Sequence, residues 1–262
     1  MEVVIAADRA EAGSVVGGAI ADLVHERAGA VLGLATGSTP LPVYAELARR
    51  HSAGELSLAG TRAFLLDEYV GLPPDHPEGY RTFIARELEA HVDFPPGAVQ
   101  GPDVQAEGRD LLAACEAYEA AIRAAGGVDL QLLGIGTDGH IGFNEPGSSL
   151  ASRTRLKTLT DQTRRDNARF FSTLDEVPRH VVTQGIGTIL EARHLVLLAF
   201  GAEKADAVAA AVEGPVAAMV PASALQLHPH ATVVVDAAAA GALRLAEYYR
   251  ETWSHKPTWQ GI

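Results

Sequence analysis

Residues 128–145, Val-Asp-Leu-Gln-Leu-Leu-Gly-Ile-Gly-Thr-Asp-Gly-His-Ile-Gly-Phe-Asn-Glu, join an apolar run to a glycine-rich stretch. The run Val128–Leu133 predicts a buried strand, and the four glycines that follow argue against a helix. Asp138, His140 and Glu145 therefore fall in a loop at the end of a strand. Histidine acts as an acid or a base near neutral pH, and flanking carboxylates can fix its tautomer and raise its basicity. This pattern is typical of a catalytic loop, although a plain strand-to-helix turn with a capping Asp and an exposed His would fit it too.

The alternation of short apolar runs with longer helical patterns extends along the whole chain. Strand-like runs lie at Val3–Ala6, Val31–Ala35, Ala63–Leu66, Leu130–Gly134, Leu195–Phe200 and Thr232–Val235. Helical patterns lie at Glu11–Arg27, Leu41–His51, Tyr80–His91, Asp110–Ala125, Lys204–Val212 and Ala237–Thr252. This order predicts an α/β fold, an open, mostly parallel sheet with helices on both faces. We expect a single domain over residues 1–262.

Polar clusters follow four of the predicted strands. They are Thr36–Pro40, Asp67–Tyr69, the Asp138/His140/Glu145 loop and Gly201–Lys204. In open α/β sheets, ligands bind outside the carboxyl ends of the strands. Four clusters at this one edge predict an active site there.

The cluster Thr36–Pro40 is typical of an anion-binding turn. Gly37 allows close approach of the backbone to a ligand, and Thr39 could cap the following helix. Amides at a helix start bind phosphate, although an ordinary capped turn would also fit these residues. Arg169 and Lys204 could supply positive charge, but each taken singly is typical of an exposed cation.

Asp67 ends an apolar run and is followed by Glu68, so the two side chains should point in different directions. Facing a sugar phosphate, Asp67 could act as general base for a carbon-bound proton if burial or a neighbouring charge tunes its pKa. A turn stabilised by the Asp67 side chain is the alternative.

Composition excludes several classes of function. The 262 residues carry a formal net charge of −12, which disfavours nucleic-acid binding because that binding depends on neutralising phosphates. Apolar runs fall short of the ~20 residues of a membrane span, and the start of the chain predicts no signal peptide. A single cysteine, Cys115, excludes an internal disulfide and favours a cytoplasmic protein. Scattered histidines without Cys/His pairing predict no metal site, and we expect no cofactor.

One polar segment, Ser148–Arg179, interrupts the alternation. It has no long apolar stripe, and its basic residues include Arg153, Arg155, Lys157, Arg164, Arg165 and Arg169. The segment could be a lid over the site, an interface or a solvated excursion.

Five motifs in order resemble the glucosamine-6-phosphate deaminase family, and the resemblance runs nearly end to end. They are Leu34-Ala-Thr-Gly-Ser-Thr-Pro40, Asp67-Glu-Tyr-Val-Gly-Leu72, Gly134-Ile-Gly-Thr-Asp-Gly-His-Ile-Gly-Phe-Asn-Glu-Pro146, Ser152-Arg-Thr-Arg-Leu-Lys-Thr158 and Leu225-Gln-Leu-His-Pro229. The resemblance implies a modified Rossmann-type fold. It also implies conversion of D-glucosamine 6-phosphate and water to D-fructose 6-phosphate and ammonium, in amino-sugar catabolism. Thr137 is a departure, since some members have Asn there.

The resemblance also implies roles by position. Asp67 matches the base for the C2 proton, and His140 matches the ring-opening residue that Asp138 and Glu145 orient. Phosphate would bind Gly37, Ser38, Thr39, Arg169 and Lys204. Segment 148–179 matches a mobile lid, and a phosphate-binding allosteric site of some members matches the trio Ser148, Arg155 and Lys157. We expect a sugar-phosphate ligand and a homo-oligomer, which could bury the basic segment.

Two other functions remain as alternatives. A 6-phosphogluconolactonase resembles this chain in its Asp-Gly-His loop, but lactone hydrolysis does not call for the acid at Glu145. A sugar-phosphate sensor without turnover would be expected to lose one or more catalytic acids, whereas Asp67, Asp138 and Glu145 are all present.

Overall fold

A computed structural model describes residues 1–106, 108, 110–168, 171, 173–257 and 259–262 of the chain. Within these residues the strands are β1 (Glu2–Ala6), β2 (Val31–Leu34), β3 (Arg62–Leu65), β4 (Asp67–Tyr69), β5 (Val99–Gln100), β6 (Leu130–Leu133), β7 (Arg155–Thr158), β8 (His180–Thr183), β9 (His194–Ala199) and β10 (Ala231–Asp236). The α-helices are α1 (Arg9–Glu26), α2 (Leu41–Ser52), α3 (Tyr80–Glu87), α4 (Asp110–Ala124), α5 (Asp161–Asn167), α6 (Ile186–Ile189), α7 (Ala205–Val212) and α8 (Ala246–Ser254).

Seven of the described strands form a parallel sheet in the order β1-β10-β9-β6-β2-β3-β5. Every residue of β2, β6 and β9 is buried. Because successive side chains of a strand point to opposite faces, this pattern requires both faces to be covered. The sheet therefore confirms the predicted open, mostly parallel α/β architecture, and all six predicted strands belong to it. The short strand β5 was not predicted.

A small antiparallel sheet, β4-β8-β7, stands beside the main one and was also not predicted. Strand β3 ends at Leu65 and β4 begins at Asp67, so the chain passes between the two sheets at Leu66. The Leu66 amide donates to the Leu34 carbonyl of the main sheet, and the Leu66 carbonyl accepts from the Gln184 amide next to β8. This crossover fixes Asp67 at the junction of the sheets.

The predicted helices are present with one major correction. The pattern Ala237–Thr252 was expected to be helical, but the helix begins only at Ala246. The Asp236 carboxylate accepts from the Gly201 and Ala239 amides, which holds the alanine-rich stretch in turns. Tertiary contacts here override the helix propensity of alanine.

Among the helices that the structure describes, none combines the length and the apolar character that a membrane crossing requires.

Candidate active site

The predicted polar clusters meet in a cavity of about 680 Å³. This volume is in the usual range for small-molecule sites. The cavity lies past the carboxyl ends of β2, β3, β6 and β9. Eight of the predicted site residues line it: Gly37, Ser38, Thr39, Asp67, Asp138, His140, Glu145 and Lys204.

The other four predicted residues are not part of the described lining. Arg169 lies outside the described residues. Ser148, Arg155 and Lys157 are described but do not line the cavity. The Ser148 hydroxyl is buried with no hydrogen-bond partner in the described part of the chain, and its amide donates to the Glu145 carbonyl at 3.0 Å.

Asp138 and His140 form a hydrogen-bonded pair inside the glycine-rich loop. The His140 Nδ1 and Asp138 Oδ1 atoms are 2.6 Å apart. Because an ionised carboxylate only accepts, Nδ1 carries a proton, and in the neutral ring Nε2 is left as the base. The hydrogen bond from His140 lowers the pKa of Asp138 to about 2. A Cβ at Gly136 would lie 2.2 Å from the imidazole, so a larger residue there would displace the pair.

Asp67 is the buried acid of the site, with 5% of its surface exposed. Burial, and after it the nearby Glu68 carboxylate, raise the pKa of Asp67 to about 8. Gly142 of the loop lies close above it at a φ of +54°, and a Cβ there would be 3.4 Å from the Asp67 Oδ2 atom. A carboxyl with a pKa near neutrality is suited to act as a general base at physiological pH.

Glu68 points away from the cavity and serves a structural purpose. Its carboxylate accepts hydrogen bonds from the backbone amides of Tyr69, Tyr80 and Arg81, at 2.8, 2.9 and 2.8 Å. Two of these amides begin α3, so Glu68 caps that helix from a distance. Burial raises the pKa of Glu68, and the three amides oppose that rise. The expected divergence of the two adjacent acids is thus observed.

Glu145 is held by the polar segment that follows it. Its carboxylate accepts from the Thr163 hydroxyl and, at 3.5 Å, from the Thr160 hydroxyl at the start of α5. These two threonines and Phe171 line the cavity. Part of segment 148–179 therefore contributes to the wall of the cavity.

The turn before α2 corrects one expectation. Thr39 was predicted to cap the helix, but the N-cap residue is Pro40 and no side-chain hydrogen bond caps this end. The buried Tyr44 hydroxyl donates to the Ala35 carbonyl at 2.6 Å, which ties the end of β2 to the helix. The Thr39 side chain instead lies in the cavity wall, beside Gly134.

Sequence reasoning missed several cavity residues. Arg9, the first residue of α1, places its guanidinium 5.2 Å from the centre of the Phe200 ring. It follows the end of β1, so the strand-end rule could have found it. Tyr69, Tyr80, Phe143 and Phe171 form an aromatic wall with centroid spacings of 4.9 to 6.1 Å. No local pattern indicates that these four rings meet.

The charge of the cavity is predominantly negative. Besides Asp67, whose raised pKa favours its neutral form, the described lining includes four carboxyl groups, those of Glu78, Asp138, Glu145 and Glu203. The arginine and lysine side chains in the same described lining are those of Arg9 and Lys204. An anionic ligand would therefore be directed to the side where these two cations lie. In the described residues, no group of three or more His, Cys, Asp or Glu side chains has a metal-binding arrangement.

Residues 7–235 match the family described as glucosamine-6-phosphate isomerases/6-phosphogluconolactonase. The chain belongs to this family. A curated glucosamine-6-phosphate deaminase from Beutenbergia cavernae is 64% identical over 263 residues and is covered fully, as is this chain.

Two solved structures share the fold of this chain. A structure described as a monomeric glucosamine-6-phosphate deaminase superposes with a TM-score of 0.89 at 42% identity, covering 92% of this chain and 100% of that one. A 6-phosphogluconolactonase from Trypanosoma cruzi gives 0.73 at 22% identity, covering 93% and 97% of the two chains. The second comparison supports the shared fold alone.

Proposed function

We propose that this chain converts D-glucosamine 6-phosphate and water to D-fructose 6-phosphate and ammonium. The observation that carries the proposal is one cavity lined both by a buried acid, Asp67, and by an imidazole–carboxylate pair, His140 and Asp138. The deaminase name of the 64% identical relative supports the same reaction.

The chemistry requires two proton-handling centres. The pyranose ring must open before the C2 proton becomes acidic, and His140 is suited to move the proton from the C1 hydroxyl to the ring oxygen. Asp138 fixes its tautomer, and Glu145 is the second acid beside it. Asp67 then takes the C2 proton, which returns at C1 to complete the aldose–ketose shift. Water adds to the resulting C2 imine, and ammonium leaves.

Phosphate binding is assigned to the cationic side of the cavity. The turn Gly37–Thr39 offers backbone amides, and Lys204 offers positive charge at the start of α7. Arg9 faces the same cavity, and we add it to the proposed set. Arg169 stays a prediction from the sequence.

A coupled assay tests the reaction. Purified protein is given glucosamine 6-phosphate or galactosamine 6-phosphate, and fructose 6-phosphate and ammonium are measured. Equimolar release of both products supports the proposal. Hydrolysis of 6-phosphogluconolactone without ammonium release from either amino sugar would place the chain with the lactonases of its family. Asp67→Asn should abolish deuterium exchange at C2, because an amide does not accept that proton.

The allosteric and lid assignments are further parts of this proposal. Ser148, Arg155 and Lys157 would bind an anion outside the cavity, and the Ser148–Glu145 backbone contact would connect it to the catalytic loop. Saturation curves with and without N-acetylglucosamine 6-phosphate test this. A sigmoidal curve that the effector flattens in the parent but not in Arg155→Ala supports it, and a hyperbolic curve indifferent to the effector refutes it.

Assembly and location complete the proposal. We propose that the protein is a homo-oligomer located in the cytoplasm. Two of the basic residues that suggested an interface are already satisfied within the chain, since Arg153 pairs with Glu119 and Glu191, and Arg164 donates to the Val177 carbonyl. The solved deaminase at 42% identity is described as monomeric. Sedimentation equilibrium distinguishes the two states directly.

A further inference from the structure

Thr183 lies directly opposite the proposed base in the small sheet. Strand β4 pairs antiparallel with β8, and the register places Asp67 against Thr183. Asp67 is 5% exposed, and Thr183 is completely buried. Residues opposite each other in an antiparallel pair project to the same face with their Cβ atoms about 5 Å apart. The Thr183 side chain therefore neighbours the Asp67 carboxyl.

Thr183 also contacts the catalytic loop. The Phe143 amide donates to the Thr183 Oγ1 atom at 3.2 Å. A Cβ on Gly142 would lie 3.0 Å from that oxygen and 3.4 Å from the Asp67 Oδ2 atom. The Gly142–Phe143 peptide thus packs directly against the side chains of Asp67 and Thr183.

The orientation of the Thr183 hydroxyl is fixed by its surroundings. The hydroxyl donates to the Gln184 carbonyl at 3.3 Å, which leaves a lone pair for the Phe143 amide. The same carbonyl accepts from the Asn144 side chain at 2.8 Å, and the Gln184 amide donates to the Leu66 carbonyl at 2.7 Å. Loop, β8 and the crossover before Asp67 are joined in one buried network.

We propose that Thr183 is a positioning residue, whose hydroxyl holds the Gly142–Phe143 peptide against Asp67 and so sets the spacing between Asp67 and the loop that carries His140. This inference rests on the proposed function. Ring opening and C2 proton abstraction must act on one bound sugar, so the two centres need a fixed separation. A displacement of about 1 Å in such an arrangement costs about 10²-fold in rate.

The test compares three variants. Thr183→Val keeps the side-chain shape and removes the hydroxyl, whereas Thr183→Ser keeps the hydroxyl. Thr232→Val is the matched control, because Thr232 is also completely buried and its hydroxyl hydrogen-bonds the His194 Nε2 atom at 2.9 Å, and neither residue belongs to the described lining of the cavity. Each variant is measured for urea stability, kcat, KM and exchange of the C2 proton with deuterated solvent.

We expect Thr183→Val to lose about 10²-fold in kcat and in C2 exchange, with a much smaller change in KM. Thr183→Ser should stay within a few-fold of the parent. Thr232→Val should lose stability while keeping kcat. A kcat for Thr183→Val that is equal to that of the parent, or that falls no more than that of Thr232→Val, overturns the proposal.

A readout independent of turnover separates this inference from the proposed reaction. Hydrogen exchange of the Phe143 amide reports the Thr183 contact even if the parent releases no ammonium from either amino sugar. Exchange should speed up in Thr183→Val and stay protected in Thr183→Ser and Thr232→Val. Unchanged protection in Thr183→Val would refute the positioning role whether or not the protein is a deaminase. Faster exchange in Thr183→Val, found together with an inactive parent, would refute only the proposed reaction.

Discussion

Replacing Asp67 by Asn should change the stability of the protein in a pH-dependent manner. Burial, followed by the adjacent Glu68 carboxylate, raises the pKa of Asp67 to about 8 from its usual 3.8. The folded protein therefore keeps a proton on Asp67 at pH values where the unfolded chain has released it. The stability linked to this proton is complete below pH 3.8 and is lost as the pH rises through 8.

The magnitude follows from the width of this range. Between pH 5.5 and the folded pKa of about 8, each unit is worth about 1.4 kcal/mol, giving a ceiling of about 3.5 kcal/mol. Asn has no titrating proton, so its unfolding free energy lacks this decline. The difference between Asp67→Asn and the parent should therefore shift in favour of the variant by up to that amount as the pH rises from 5.5 to 8.5.

Urea unfolding at pH 5.5, 7.0 and 8.5 measures the difference, with equal m-values as the check that both proteins unfold alike. Glu119→Gln is the control. Although burial favours the neutral acid there, hydrogen bonds from Thr154 and Thr188 lower the pKa of Glu119 overall. Its folded and unfolded pKa values both lie below the range, so its stability deficit should be constant. An Asp67→Asn difference that is equally independent of pH would refute the raised pKa.

Three further predictions concern catalysis. In Glu68→Gln, removal of the like charge should move the acidic limb of the kcat/KM profile, set by Asp67, to lower pH, as a pH–rate series would record. Lys204→Ala and Arg9→Ala should each raise the KM for the sugar phosphate about tenfold or more. Arg250→Ala, on the surface helix α8, is the control and should leave the KM unchanged. Equal effects of all three substitutions would indicate long-range attraction instead of a site. His140→Gln should slow turnover about 10²–10⁴-fold yet bind an open-chain analogue nearly as well as the parent, and equally weakened analogue binding would contradict a ring-opening role.

The main sheet could be predicted because its strands are continuous apolar runs. Central strands such as β9 (His194–Ala199) are buried on both faces. They therefore appear in the sequence as continuous runs of apolar residues. The small sheet leaves no such signal. Strand β7 reads Arg-Leu-Lys-Thr, and β4 reads Asp-Glu-Tyr, yet every residue of β4 is buried. Their pairing depends on contacts between distant parts of the chain.

The site was predictable to the extent that it follows strand ends. Asp67, Asp138 and Lys204 lie within four residues of the ends of predicted strands, and the parallel sheet brings such positions to one edge. Glu78 and Tyr80 reach the cavity through the loop and helix that Glu68 anchors, so their place depends on tertiary packing. Sequence periodicity carries no information about that anchoring.

The crossover at Leu66 explains why the register of the small sheet matters to the chemistry. Asp67 and Glu68 are adjacent, and successive side chains of a strand point to opposite faces. A slip of one residue in the pairing of β4 with β8 would exchange the directions of these two side chains. Glu68, which caps α3, would then point into the cavity, and Asp67, the proposed base, would point away from it. Leu66 prevents this slip because its amide is fixed by Leu34 and its carbonyl by Gln184, one bond in each sheet. The proposed base is therefore set by the same hydrogen bonds that join the two sheets.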